Sequence, residues 1–377
     1  MLRRIFEILV KELLELRRDK WARFRLTVPP LIQCLVFGYA ATFEVFGVST
    51  AVLDLDHSQE SRALIAAFAR SNRFAIVTAA TTPRDVEAAI DRGQAALAVE
   101  VQAGFADQLR RGQAAPVQIL VDGTNSNSAL IALGYADQII TTYAQQYASE
   151  LLYRRSPALA SRLVQIRLDD RPWYNLELNS RWFFVPGIIA TITLVMVVNL
   201  TSFAIVRERE VGTLEQILVT PIRPAEFIAG KTIPFFLVGL SLVSLITLVG
   251  TLWFDVPFRG NPLVLLLGTS LYLLSTLALG LAISTICRTQ QQAFATNFFV
   301  VNPMFTLSGF SFPIAGMPQL LQWLTYLNPV RYFLVIIRGT FLKGVGVAEL
   351  WPQLLALAIL GLGLMSLAIL RFRKSMD

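Results

Sequence analysis

Three short strings carry residue types that could do chemistry. Asp54, Asp56 and His57 follow an apolar run, and two carboxylates beside an imidazole are ligands a divalent metal would accept. His57 is the one histidine in 377 residues, and nothing else nearby has metal-ligand spacing. A polar turn accounts for the cluster, and no metal site is expected. Gly230-Lys231-Thr232 resembles the end of a phosphate-binding loop. That loop needs a further glycine five residues before Gly230, where the chain has Ala225, and a strand before it. The chain is therefore expected to bind no ATP itself. Asp122-Gly123-Thr124-Asn125 could touch a ligand, but a strand-to-helix turn with a side-chain cap explains it. With no G-x-S-x-G and no paired-carboxylate motif, the chain is not expected to be an enzyme by itself.

The charges that remain to be explained run from Arg207 through Glu208, Arg209 and Glu210 to Val211, Gly212, Thr213, Leu214 and Glu215. They sit between two long apolar runs. A charge at a bilayer centre costs about 2.5–3.5 kcal/mol, so the preceding span must end near Val206. Beyond the charges, Val211, Leu214, Ile217 and Leu218 recur at helical spacing. Thr213 and Gln216 can form a capping box, Pro221 stops the helix, and Pro224 suits the first turn of the next. A short amphipathic helix at a membrane surface is suited to receiving a push from a soluble partner. An ordinary connecting loop is the alternative.

The elements that position these residues follow from composition. The chain is 54% hydrophobic and 16% charged, with mean hydropathy +0.56, whereas soluble domains carry about 25% charged residues. It reads as an α-helical integral membrane protein. The net charge of +7 then speaks for orientation and lipid contact, and no nucleic acid is expected. Six stretches reach the length of a span: 26–48, 182–206, 232–254, 262–286, 293–310 and 350–370. Basic residues before the first (Arg3, Arg4, Lys11, Arg17, Arg18, Lys20, Arg23, Arg25) and after the last (Arg371, Arg373, Lys374) put both ends in the cytoplasm. Two inside ends require an even number of spans. The short apolar stretch 332–342, interrupted by Arg338, is therefore not expected to cross. Residues 312–346, broken by Pro313, Pro318 and Pro329, read as helices that dip in from outside and return. A hairpin lying on the surface is the alternative. The N-terminus has too long a polar lead to be a cleaved signal peptide.

About 130 residues, 49–181, lie outside by this orientation, with thirteen arginines, fourteen acidic residues and no lysine. Strands are expected at 51–55, 74–79, 95–101, 117–121 and 164–168. Helices are expected at 61–69, 83–90, 104–111 and 128–154. This is an α/β domain with its own core. At the N-terminus, Ile5, Leu9, Leu13 and Leu16 share a face of an interfacial helix that clamps a partner or anchors to lipid. In-span polar residues are few: Gln33, Glu44, Asn199, Thr201, Ser202, Asn297 and Asn302. Such groups face a bundle interior or a partner. Asn297 and Asn302, five apart, are expected to point to different sides. Cys34 and Cys287 fall at different places along the spans, so no disulfide is expected.

The string Arg207-Glu208-Arg209-Glu210-Val211-Gly212-Thr213-Leu214-Glu215 with Thr220-Pro221-Ile222-Arg223-Pro224-Ala225-Glu226-Phe227 and Gly230-Lys231 resembles the permease subunits of ABC-2 type exporters. So do Ser308-Gly309-Phe310-Ser311-Phe312-Pro313, Met317-Pro318 and Tyr326-Leu327-Asn328-Pro329-Val330-Arg331-Tyr332-Phe333. One span, a large outside domain and five more spans is the order of parts in the multidrug-type branch. The resemblance implies a prokaryotic inner-membrane protein that pairs with a second permease and with two ATPase subunits, which supply ATP and Mg. It makes 207–231 the coupling region, with Arg207, Glu208, Arg209, Glu210, Gly212, Thr213, Leu214, Glu215 and Leu218 in contact with the ATPase. It makes 312–346 an exit gate carried by Phe312, Pro313, Met317, Pro318, Asn328, Pro329, Arg331 and Tyr332. Asn199, Thr201, Asn297 and Asn302 become candidates for the pathway or the dimer face, and a periplasmic adaptor is a further partner.

The expected division is then 1–25 interfacial helix, 26–48 first span, 49–181 extracytoplasmic domain, 182–372 five-span membrane domain and 373–377 cytoplasmic tail. An ion-gradient-driven transporter would show internal repeats, and none is visible. A scaffold or receptor with an outside sensor would need a cytoplasmic partner to signal to. Both stay open as alternatives. Apolar spans with few fixed charges suit amphipathic or lipophilic cargo.

Overall fold

The computed structural model describes residues 2–40, 46–155, 173–175, 179–212 and 224–374. The chain divides into two compact units, Phe43–Asp170 and the remainder, Met1–Thr42 with Arg171–Asp377.

The larger unit opens with helix α1 (Leu2–Arg18) and helix α2 (Lys20–Ala40). The break falls at Asp19, whose carboxylate accepts from the Trp21 N–H at 2.9 Å and so caps α2. α2 runs unbroken through the position expected to separate interfacial helix from span. Val48, expected to end that span, opens a β-strand instead.

In the smaller unit, β1 (Val48–Asp54), β2 (Phe74–Ala80), β3 (Leu97–Val101) and β4 (Val117–Val121) form one sheet in the order β2-β1-β3-β4. The first three are parallel, and β4 is antiparallel to β3. The connecting helices are α3 (Gln59–Arg70), α4 (Pro83–Asp91), α5 (Phe105–Arg111) and α6 (Ser126–Arg155). Alternate residues serve opposite faces. Val48, Leu97, Val99 and Val101 pack with Leu64, Phe68, Phe105, Ala132 and Ala136 of α3, α5 and α6. Ala51, Leu53 and Ala98 pack with Val86 and Ala89 of α4. Thr82 and Asp85 form a capping box at α4, with Pro83 in its first turn. The strand expected at 164–168 lies outside the described residues.

The larger unit continues with α7 (Ser180–Glu210), α8 (Pro224–Leu252), α9 (Pro262–Ile286), α10 (Gln290–Thr306), α11 (Gln319–Leu324), α12 (Pro329–Arg338) and α13 (Val347–Lys374). α7 is the central element, with Val185 to Leu194 buried along its length. The buried Tyr272 of α9 stacks on Phe333 of α12 at 4.2 Å and donates its hydroxyl to the Ala190 carbonyl of α7. α9 meets α7 closely at Gly280, where a Cβ would lie 2.9 Å from the Val198 carbonyl oxygen. Small residues at crossings are how apolar helices gain contact in a bilayer.

Four helices among the described residues are long and apolar enough to cross a membrane: Ser180–Glu210, Glu226–Leu252, Pro262–Ile286 and Val347–Phe372. Gln319–Leu327 and Pro329–Lys343, meeting at 80°, make a bent pair of comparable character. The expected spans at 26–48 and 293–310 fall on α2 and α10. α2 carries Lys20, Arg23 and Arg25 in its first turns and Pro29 and Pro30 within it. The 17 residues of α10 rise about 26 Å against about 30 Å of hydrocarbon.

Candidate functional site

The charged string ends α7, and Glu208, Arg209 and Glu210 hold neighbouring helices. α7 stops at Val211, with Gly212 at φ 80°, a left-handed conformation that glycine adopts without steric cost. Arg209 donates to the carbonyls of Ser284, Thr285 and Cys287, the last turn of α9. Glu210 accepts from the backbone and side chain of Gln290, the first residue of α10. A cation thus meets a helix C-terminus and an anion a helix N-terminus, the pairing the helix dipole favours.

Glu208 turns inward. Its Oε1 accepts from Lys231 Nζ at 2.7 Å, and Lys231 lies 2.8 Å from Glu12 Oε1 in an ion pair without hydrogen-bond alignment. All three side chains are largely withdrawn from solvent. The trio joins α1, α7 and α8. Gly230 lets α1 approach, since a Cβ there would lie 2.7 Å from Ile8. Arg207 is exposed, while Thr213, Leu214, Glu215 and Leu218 lie outside the described residues, as does the expected amphipathic helix. Glu12 and Lys231 were not among the expected site residues. The signal was a lysine at the head of an apolar run, which needs a buried counter-ion. Of the apolar face expected on α1, Ile5 and Leu9 are half-buried, but Leu13 is exposed and Ile8 and Glu12 make the contact with α8.

A cavity of about 360 Å³ lies between α2, α7 and α10. Its walls are aromatic and amide: Phe37, Phe298, Phe305, Phe310, Asn199 and Asn297 among others. Asn297 is 2% exposed and donates to Asn199 Oδ1 at 2.9 Å and Ser202 Oγ at 2.7 Å. Its own Oδ1 is buried without a hydrogen-bond partner among the described residues. Asn302 also borders this cavity. The two asparagines are about 140° apart around the helix, and the cavity wraps that far round α10. Gln33 of α2 is also at the wall. Thr201 faces the other way, buried against Gly280 of α9. Phe294, Phe298, Val301 and Phe305 form a helical stripe along the cavity that sequence spacing alone could not tell from core.

The expected gate residues gather at the bent pair. Pro313, Pro318 and Pro329 each open a short helical piece. Asn328 caps α12 by accepting from the Val330 N–H and donates to the Met304 carbonyl of α10. Arg331 stacks its guanidinium over Tyr326 at 4.0 Å and donates to Thr325 Oγ1, and the Tyr332 hydroxyl donates to the Tyr326 carbonyl. The Met317 carbonyl accepts from Gln322, and Phe312 is exposed.

The strings that suggested ligand chemistry in the smaller unit are turns. Asp54 accepts from the N–H groups of Asp56 and His57 and from the Ser61 hydroxyl. Asp56 accepts from the N–H groups of Gly104 and Ala106. Asp122 accepts from Thr124, and Asn125 caps α6 through Ser128.

Long apolar helices crossing at small residues, with a charged junction at the end of α7, are those of a helical membrane protein. Residues 26–370 match the family described as ABC-2 family transporter protein, and the chain belongs to that family. It is 37% identical over 374 residues to the probable multidrug ABC transporter permease YbhR of Escherichia coli K12, covering 99% of both chains. It is 33% identical to the probable multidrug ABC transporter permease YbhS of the same organism, over 91% of this chain and 89% of that one. It is 30% identical to the inner membrane transport permease YhhJ of Escherichia coli K12, over 99% and 98%. The chain is thus a multi-pass permease subunit of an ABC transporter, from a family whose permeases work with an ABC ATPase and a second permease.

Proposed function

We propose that this permease forms half of the path of an ATP-driven exporter in a prokaryotic inner membrane, with both termini in the cytoplasm. Six spans, counting α2 and α10, place the charged junction inside. The α/β unit, and the bent pair as re-entrant helices, then lie outside. Residues 207–231 receive the stroke of a separate ATPase, which binds ATP and Mg. The observation that carries this reading is the Glu12–Lys231–Glu208 trio, which ties α1, α7 and α8 together where the charged string ends. A push on that string moves three helices as one. The cavity borders α7 and has no charged residue in its walls, which suits lipophilic or amphipathic cargo, in keeping with relatives named as multidrug permeases. A second permease copy or a paralogue would close its open side along α2 and α10. A periplasmic adaptor engaging the α/β unit is a further partner.

The test is co-reconstitution with the ATPase in liposomes, following ATP hydrolysis and efflux of a lipophilic dye, for wild type and Glu208→Gln. ATP-dependent efflux that falls several-fold in the variant while the ATPase still binds is the expected result. Efflux that needs an ion gradient and no ATP, or a chain that binds no ATPase, overturns the reading.

A further inference from the structure

Arg338 closes α12 beside the cavity-lining Phe310, and nothing in the exporter reading uses it. Its guanidinium lies against two aromatic rings, 3.9 Å from the ring centre of Phe183 and 6.0 Å from that of Phe310. Its Nε and Nη2 are buried and have no hydrogen-bond partner among the described residues. A cation so placed is costly, and aromatic faces recover only part of the lost hydration. Capping of a helix end does not explain it. The chain continues helically through a π turn, Gly339–Lys343, and Arg338 donates to no carbonyl there. Single π turns are frequent at functional positions.

Two features point to a ligand. Nε and one Nη form one edge of the guanidinium, the fork that meets two oxygens of a carboxylate or phosphate side by side. Phe310 both lines the uncharged aromatic cavity and neighbours Arg338, whose Nε and Nη2 have no partner among the described residues. That ring sits over Gly187, where no side chain stands beneath it.

We infer that Arg338 is the binding site for the anionic group, phosphate or carboxylate, of an amphipathic molecule whose apolar part lies in the aromatic cavity. Displacement of Phe310 opens the way between the two. The anion enters the fork as its tail fills the space lined by Phe298 and Phe305. Cargo and a membrane lipid both offer this chemistry.

The full chain in a nonionic maltoside micelle is titrated with a dansyl-labelled dodecyl phosphate and with the same label on dodecanol, reading fluorescence polarisation. Two charge-assisted bonds predict a preference for the phosphate of roughly tenfold or more. Arg338→Gln abolishes the preference, and Arg338→Lys, which keeps the charge but loses the fork, retains part of it. Phosphatidylglycerol and inorganic phosphate serve as competitors. Displacement mainly by the two-chain lipid assigns the site to a lipid headgroup. Weak displacement by lipid assigns it to single-chain cargo. Equal affinity of wild type for phosphate and alcohol overturns the inference without recourse to any variant, and so does an unchanged preference in a folded Arg338→Gln. Binding is read without ATPase, so failure here is distinguishable from failure of the exporter reading.

Discussion

A buried ammonium held between two carboxylates responds asymmetrically to substitution. Lys231→Met removes the ammonium that bridges Glu12 and Glu208 and leaves both carboxylates without it in a poorly solvated place. Breaking a buried pair from one side costs about 3–5 kcal/mol, whereas replacing all members by neutral groups is often neutral. Lys231→Met should therefore lower the thermal midpoint of the solubilised chain markedly. The triple variant Glu12→Gln/Glu208→Gln/Lys231→Met should recover most of the loss. A triple variant as unstable as the single one would show that the charges are not the source of the cost. The sequence marked Lys231 as the tail of a false phosphate-binding loop and as part of the family-like string Gly230-Lys231, but not as the centre of an ion pair. Its role depends on Glu12, more than two hundred positions away, and no local spacing encodes that pairing. Arg209 and Glu210 were legible as the end of a span, because charge cost acts locally. Their attachment to α9 and α10 was not, because those helix ends arrive from elsewhere in the fold.

At the scale of elements, the sequence signals worked where the rule is local. The strands at 74–79 and 117–121 and the helix opening at Pro83 lie within a residue or two of the observed ones, because β-branched runs, caps and prolines act on their own neighbourhood. Proline likewise set the pieces of the bent pair. The first span was misplaced at its outer end because an apolar run crosses from α2 towards β1 without a composition change at Val48. Packing between α7 and the segment after α10 was invisible, yet it is sharply specified. A Cβ at Gly187 would lie 2.2 Å from Phe310 Cε2. Gly187→Ala should displace that ring, at a cost of about 1–3 kcal/mol for overpacking. It should also change dye affinity at the cavity. Gly187→Ala/Phe310→Ala should regain the stability, measured by thermal unfolding. If the single variant matches wild type in both stability and dye affinity, Phe310 does not rest on Gly187 as described.

For the whole molecule, the two units should part company in acid. The larger unit is held mainly by apolar contacts between helices, which do not titrate. The smaller one holds its loops with carboxylates. Ser58 beside Asp56, with the N–H groups of Ala106 and Gly104, keeps that carboxyl below its ordinary value. Arg110 does the same for Glu60 through two hydrogen bonds of 2.8 and 2.9 Å, Thr82 and Thr81 for Asp85, and the Thr124 N–H for Asp122. A carboxyl depressed on folding contributes its stability in full above its unfolded value of about 4 and loses it as pH falls through the folded value. Acidification below about pH 4 should therefore raise hydrogen exchange in residues 48–155 of the solubilised chain. α7 and α9 should stay protected over the same range. Asp56 pins the start of α5 to the turn after β1, so Asp56→Asn should weaken protection of 104–111 already at neutral pH and flatten its response to acid. Equal loss of protection in α7 and in the β-sheet at pH 3 would mean that the two units unfold as one. No loss in either would mean that these hydrogen-bonded carboxylates do not hold the smaller unit together.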